Sequence, residues 1–167
     1  MAIKDKVFKG KLKQSANFNF KETYEFIYDY LNDERWNLHE SLYREKSSGE
    51  TKELTITWKG TKNVSDYFRF EIGITFIILG MKDIKINVEG KEIITQYGSL
   101  EMNFDAILIR DYKNKWDTGF MKVFRNIYED YIIKNRIEDY EVKLDEEVNE
   151  IIATIKSFLT IEAQHQY

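Results

Sequence analysis

The chain contains neither cysteine nor proline. The absence of cysteine excludes disulfide scaffolds, thiolate metal sites and cysteine nucleophiles. The absence of proline removes the X-Pro bonds at which cis isomers are common. The sequence therefore predicts a fold that depends on its hydrophobic core and not on covalent cross-links.

Histidine and long apolar runs are also scarce. The two histidines are His39, on a predicted strand, and His165, near the end; they cannot form a histidine-rich zinc site. The longest nearly apolar run, Ile72 to Met81, is about half of the ~20 residues that a membrane-spanning helix needs. The start, Met1 to Lys4, lacks the apolar segment of a signal peptide. We expect a cytoplasmic protein with no transmembrane segment.

Sequence motifs for several kinds of chemistry are missing. The net charge of −4 and pI of about 5.4 give no basic footprint, so nucleic acid is not an expected partner. There is no phosphate-binding loop, dinucleotide fingerprint, serine elbow or calcium loop. We therefore predict no metal, no cofactor and no catalytic residue, and favour a noncatalytic protein over an enzyme of the cyclase or hydratase kind.

Apolar and aromatic residues are plentiful and strongly patterned. The 167 residues are 43% hydrophobic and 15% aromatic, enough for one domain with a substantial core. Alternating apolar and polar residues predict strands, and their hairpin-length spacing predicts an antiparallel meander. Gly80 is interpreted as a turn, and Gly98 as a bulge or turn. The seven predicted strands cover residues 6–13, 38–43, 54–58, 68–78, 84–88, 93–97 and 100–108.

Two helical regions are predicted. Asn19, followed by Glu22, is typical of a helix N-cap, and an apolar face runs from Phe20 to Leu31. A longer helical region covers residues 115–161 and carries two stripes. The first comprises Phe120, Phe124, Ile127 and Tyr131; the second follows a heptad pattern from Ile137 to Phe158. The stripes are out of phase, which predicts a kink or turn at residues 134–136.

The order of elements resembles that of the helix-grip fold of the Bet v1-like and START-like (SRPBCC) superfamily. That fold is α+β, with a bent seven-stranded antiparallel sheet around a long C-terminal helix. The resemblance covers roughly residues 6–134 and rests on element order. It predicts a helix-grip domain at residues 1–134, a helical extension of the same domain at 135–162, and a flexible tail at 163–167. It further implies a cavity between sheet and helix, which many members use for lipids or other apolar ligands.

The inward sheet face is the candidate ligand site. Its apolar side chains would line a pocket for a small hydrophobic, lipid-like molecule, or the helix would fill the space with Phe120, Phe124 and Ile127. Three charged residues, Glu40, Arg44 and Arg110, fall in phase with inward positions. They would hold a ligand head group, or lie at the wet rim of the sheet, or Glu40 would pair with an arginine. The apolar candidates are Leu54, Ile56, Trp58, Phe68, Phe70, Ile72, Ile84, Ile86, Met102 and Phe104.

The heptad stripe is the candidate partner surface. Such a stripe either docks on its own domain or pairs with a helical partner or a second copy, giving a homo-oligomer. Four outward apolar residues suggest an exposed patch that needs covering: Ile77, Leu79, Ile107 and Ile109. The alternative function is therefore a protein-interaction or assembly module. The predicted partner-binding residues are Ile137, Leu144, Val148, Ile151, Ile155 and Phe158.

Overall fold

The structure, a computed structural model, describes residues 1–164. Its centre is one antiparallel sheet of five strands in the order β1-β5-β4-β3-β2. Strands β2 to β5 form a meander, because neighbours in the sheet also follow one another in sequence. Strand β1 lies at the edge of the sheet, beside β5. The strands are β1 (Ile3–Phe18), β2 (Asn37–Ser48), β3 (Thr51–Asn63), β4 (Phe68–Val88) and β5 (Lys91–Arg110).

The helices frame the meander in sequence. Helix α1 (Phe20–Asp33) joins β1 to β2, and α2 (Gly119–Ile127) follows β5. A π-helical turn (Tyr128–Ile132) leads from α2 to α3 (Lys134–Gln164), which is the long C-terminal helix. The prediction of an α+β chain with an antiparallel sheet and a long C-terminal helix is confirmed.

The sheet has five strands and not the seven predicted, because β4 and β5 each unite two predicted strands. Leu79 lies opposite Ser99 and Lys82 opposite Tyr97, so two residues of β4 face the single residue Gly98. This two-against-one arrangement is a β-bulge. Gly80 has a φ of +62°, which glycine adopts at little cost. The glycine that predicted a turn therefore bends a continuous strand.

The bulge makes Gly98 sensitive to substitution. A Cβ atom at residue 98 would lie 3.1 Å from the Cα of Met81 and 3.2 Å from the carbonyl oxygen of Leu79. Since both are backbone atoms, they cannot move without disturbing the sheet. We expect Gly98→Ala to lower the free energy of unfolding by about 1–3 kcal/mol, measured by urea titration.

Gly73 supplies the control for that substitution. It lies in the same strand pair, and its added Cβ would meet nothing closer than a backbone oxygen at 4.0 Å. Gly73→Ala should leave stability unchanged or slightly increased, because alanine restricts the unfolded chain. Equal effects of the two substitutions would contradict this account of the bulge.

The core lies on one side of the sheet, called here the inner face. Alternate residues of β3, β4 and β5 point to it and are buried. Helix α1 adds Ile27 and Leu31, and its N-terminus is capped as predicted: Asn19 Oδ1 accepts a hydrogen bond of 3.3 Å from the Glu22 backbone N–H. Helix α3 adds five buried residues: Leu144, Val148, Ile151, Ile155 and Leu159.

The long helical region is interrupted close to the predicted mismatch. The break lies at Ile133, which has non-helical backbone angles, just before the predicted residues 134–136. Helix α3 continues through Gln164, so the predicted tail is helical at residues 163–164; residues 165–167, with His165, lie outside the described part. No described helix has the length and apolarity needed to cross a lipid bilayer.

Candidate functional site

Most of the predicted ligand residues lie in the closed core. Eight of the thirteen predicted residues are each at most 2% exposed, and the space above them holds side chains of α1 and α3. The filled interior that the sequence left open as an alternative is therefore the arrangement found. It is filled by side chains of α1 and α3 and not by Phe120, Phe124 and Ile127. The eight residues are Leu54, Ile56, Trp58, Phe68, Phe70, Ile72, Met102 and Phe104.

Ile84 and Ile86 do not share that face, contrary to prediction. They pair with Thr95 and Ile93, which lie in phase with the outward residues of β5. Directly paired residues of antiparallel strands project on the same side. The bulge at residues 80–81 thus moves both isoleucines to the outer face, where they are only partly buried.

A register shift in β2 likewise places Glu40 and Arg44 on opposite faces of the sheet. Glu40 lies opposite Trp58 on the inner side, but a register shift before Leu42 places Arg44 opposite the outward Thr55. Glu40 Oε2 accepts hydrogen bonds from Tyr24 Oη at 2.7 Å and Trp58 Nε1 at 3.2 Å. Burial and the neighbouring carboxylate raise the pKa of Tyr24 to about 12. Glu40 therefore stabilises an aromatic cluster at the sheet edge, and no head-group site joins it to Arg44.

Arg110 does point inward, as predicted, but its charge is already matched. Its Nε donates to Asp5 at 2.7 Å and its Nη1 donates to Glu129 at 2.7 Å. Glu129 also accepts a hydrogen bond from the Tyr67 hydroxyl. Burial, followed by the adjacent Glu129, raises the pKa of Tyr67, so this hydroxyl stays protonated and can donate. The arrangement is that of a structural ion pair rather than a free anion site.

The predicted partner residues pack on their own domain. Leu144, Val148, Ile151 and Ile155 are fully buried, while Ile137 and Phe158 are partly buried against the same core. Phe158 stacks on Phe26 of α1 with ring centroids 4.0 Å apart. Intramolecular docking, the other alternative left open by the sequence, is the arrangement found.

The four outward apolar residues do not form one patch. Ile77 pairs with Glu101 and Leu79 with Ser99, whereas Ile107 pairs with Glu71. The two apolar pairs therefore lie at different ends of the sheet, and Ile109 is buried. The outer face between them is polar and partly ion-paired, and it offers no continuous apolar surface.

A continuous apolar surface lies instead on α2 and the π-helical turn. Phe120 is 75% exposed and Tyr131 is 84% exposed, and the residues between them on the same stripe are each about half exposed. The spacing of i, i+3, i+4 and i+7 places them on one side of the helix. We call this stripe the α2 face: Phe120, Val123, Phe124, Ile127 and Tyr131. Met121 and Ile132, both exposed, extend it.

The opposite side of α2 is charged and turned toward the protein. Arg125 is the one buried residue of α2, at 8% exposure, and its Nη1 donates to the Met1 carbonyl oxygen at 3.0 Å. The same nitrogen lies 3.7 Å from Oδ2 of the buried Asp111. Glu129 follows one turn later and meets Arg110. The segment therefore buries Arg125 and Glu129 and exposes its apolar side chains.

The loop before α2 positions this helix. Asp111 has a φ of +50°. Its two carboxylate oxygens accept hydrogen bonds from the backbone N–H groups of Lys115 at 2.9 Å and Trp116 at 3.2 Å. Trp116 in turn stacks on Tyr128 at 5.4 Å between ring centroids. These contacts orient α2 at the end of the sheet where β4 begins and β5 ends.

Two surface grooves lie outside the closed core. One groove of about 410 Å³ lies beside the β1 irregularity at Val7, and one of about 440 Å³ lies at the junction of α2 and α3. Arg110 lines the second groove, but its donors bind Asp5 and Glu129. Within residues 1–164, no three carboxylate or imidazole groups are arranged to hold a metal ion.

The sequence pattern predicts four of the five residues of the α2 face as one helical stripe, but it places that helix on the inner face of the sheet. Periodicity identifies an apolar stripe and does not say what covers it. A second signal was present: Arg125 and Glu129 lie four residues apart on the other side of the same helix. Two charges turned inward favour an outward apolar stripe, provided that Asp111 and Arg110 are known to lie beneath them.

No protein-family model, curated protein or solved structure matches the chain.

Proposed function

We propose that this protein is a noncatalytic protein-interaction or assembly module whose contact surface is the α2 face. The observation that carries the proposal is the orientation of α2, whose charged side contacts its own domain while its apolar side faces solvent. Burying one phenylalanine side chain is favourable by roughly 2 kcal/mol. Since Phe120 is 75% and Phe124 47% exposed, a partner that covers both would gain roughly 2–3 kcal/mol.

The contacts that fix α2 to its own domain support a docking role. Arg125 bonds to Met1, and the Asp111 carboxylate bonds to the loop before the helix. The N-terminal ammonium group also pairs with Asp117. A helix held at three points loses little conformational entropy when a partner binds, and such preorganisation favours affinity.

The size of the apolar surface supports the same role. A monomeric protein rarely has an apolar patch larger than roughly 300–600 Å². Since a fully exposed aromatic side chain presents ~200 Å², the exposed parts of the α2 face with Met121 and Ile132 come to roughly 800 Å². That is about the share that each partner contributes to a standard interface.

The helix-grip relationship and the small-ligand function stay predictions. The strand order, with β1 beside the last strand and a long C-terminal helix on the inner face, is compatible with the first. Binding of a lipid-sized ligand would require α3 to leave the inner face, because its side chains occupy the predicted cavity. The packing gives the ligand function no support, and the assembly function is preferred.

Photo-crosslinking in cells that produce the protein tests the docking role. A benzophenone amino acid in place of Val123 should form adducts with a protein, because Val123 lies in the middle of the α2 face. Mass spectrometry of the adducts identifies the partner, whether another protein or a second copy.

Leu42 provides the matched control position. It is an exposed apolar residue on β2, outside the α2 face. The same substitution there should give no specific adduct. If residue 123 yields no adduct above the level at residue 42, the docking role is rejected.

A further inference from the structure

We infer that the partner of the α2 face is a second copy of this chain, and that the two α2 helices pack antiparallel about a two-fold axis. This inference rests on the proposed function and names its partner. Two-fold symmetric dimers use one surface patch twice, so the patch must be complementary to itself. The α2 face meets that requirement in area, side-chain register and charge.

The area is sufficient for a stable dimer. Two copies of a surface of roughly 800 Å² would bury at most about 1,600 Å², which is the size of a standard specific interface. The sheet end and the π-helical turn lie next to α2 and would add a rim.

The register of the stripe favours antiparallel packing. Two such helices can run in opposite directions and cross at the level of residues 125 and 126, with their apolar stripes facing each other. Phe120 then lies opposite Tyr131 of the second copy. Phe124 then lies opposite Ile127 of the second copy. Every large side chain of the stripe meets an apolar or aromatic one, and the aromatic pairs gain edge or offset contacts.

The charges around the stripe also fit this arrangement. Within each copy, Arg125 is near Asp111 and Glu129 bonds to Arg110, so pairing buries no unmatched charge from these residues. Lys122 lies on the side of α2 turned away from the stripe, where its Nζ is 3.7 Å from Asp117 Oδ1 of its own chain. Antiparallel packing also aligns the helix dipoles favourably, whereas parallel packing would bring like ends of the two helices together.

Sedimentation equilibrium with the purified full chain tests the self-pairing. At ~100 µM, even a micromolar affinity gives mostly dimer, so the parent chain should have twice its sequence mass. Phe120→Asp/Phe124→Asp should have the monomer mass with an unchanged circular-dichroism spectrum. As the control, Leu42→Asp/Leu79→Asp changes two exposed apolar residues on the sheet and should remain dimeric.

The absence of cysteine allows a direct test of the register. Phe124→Cys and Ile127→Cys are made separately, mixed and oxidised. Antiparallel packing predicts that the mixed disulfide between residues 124 and 127 forms faster than either symmetric disulfide. Faster symmetric disulfides at both positions would indicate parallel helices and overturn the proposed arrangement. Val142→Cys, on the exposed side of α3, measures random collision.

The outcomes separate this inference from the docking role. A monomeric parent chain at ~100 µM overturns self-pairing, and photo-crosslinks from residue 123 to another protein would then leave the docking role intact. Cosedimentation with anionic phospholipid vesicles, abolished by Phe120→Asp/Phe124→Asp, would identify a membrane as the occupant and would also overturn self-pairing. Loss of both the dimer and the crosslinks rejects both proposals.

Discussion

Replacing Ile151 by alanine should lower the midpoint of thermal unfolding by about 10 °C. Ile151 is fully buried in α3 and packs with inner-face side chains of the sheet. Truncating a buried isoleucine to alanine costs about 3 kcal/mol, through lost apolar transfer and the cavity left behind. For a chain of this length, each kcal/mol corresponds to about 3 °C.

Val142 is the matched position for this experiment. It lies on the same helix, is 57% exposed, and has no core contact to lose. Val142→Ala should shift the midpoint by no more than about 2 °C. Both variants are measured at one protein concentration, so that association contributes equally to each midpoint.

The same experiment separates two meanings of the heptad stripe. If the stripe is core, Ile151→Ala loses stability, but its folded state keeps the mass of the parent chain in sedimentation. If the stripe instead bound another copy, the variant would have a smaller mass and nearly unchanged stability. The second result would contradict the packing of α3 described above.

Replacing Arg110 by methionine should lower the free energy of unfolding by about 3 kcal/mol, near the lower end of the cost of breaking a buried ion pair. Methionine keeps much of the side-chain volume but removes the guanidinium donors to Glu129 and Asp5. Glu129 is 5% exposed and would lose its cation partner. Urea unfolding at neutral pH measures the loss.

Two further variants show that the loss comes from the stranded carboxylate. Arg110→Met/Glu129→Gln should regain much of the stability, because glutamine carries no charge and can still accept the Tyr67 hydrogen bond. Lys113→Met removes an ion pair with the exposed Asp66 and should leave the free energy of unfolding nearly unchanged, because solvent screens exposed ion pairs. If the double variant is no more stable than Arg110→Met, the buried charge is not the cause.

The sequence predicted the kinds of elements better than their limits. Alternation identified the residues of β4 and β5, and Asn19 correctly marked the start of α1. The strand number failed at Gly80, because glycine with a positive φ serves tight turns and bulges equally well. Only the pairing of Leu79 and Lys82 across Gly98 distinguishes the two.

The candidate site was harder to predict from the sequence than the elements were. The predicted face of each strand residue depends on counting from earlier residues, so one miscounted residue carries over to all later ones. A single extra residue in a strand inverts the face of all later residues. The irregularity before Leu42 moved Arg44, and the bulge before Lys82 moved Ile84 and Ile86. Arg110 kept its predicted side, but its partner Glu129 comes from a different helix, and sequence spacing does not reveal that contact.

The two stripes of the C-terminal region show the same limit for helices. Both have the periodicity of a buried helix face, yet only the stripe of α3 is buried in its own chain. The chain has one inner sheet face, and α1 and α3 occupy it. The choice between them and α2 depends on competition for that face, which is a property of the whole fold and not of a local pattern.

The length of β4 determines the shape of any assembly built at the α2 face. This strand has 21 residues, so at ~3.3 Å per residue it extends roughly 65 Å from the α2 end to the hairpin tip at Glu89–Gly90. In a dimer joined at α2, each hairpin tip would therefore lie at most roughly 65 Å from the contact, less the shortening caused by the bend at Gly80. Loss of the dimer would change the maximum dimension measured by small-angle X-ray scattering.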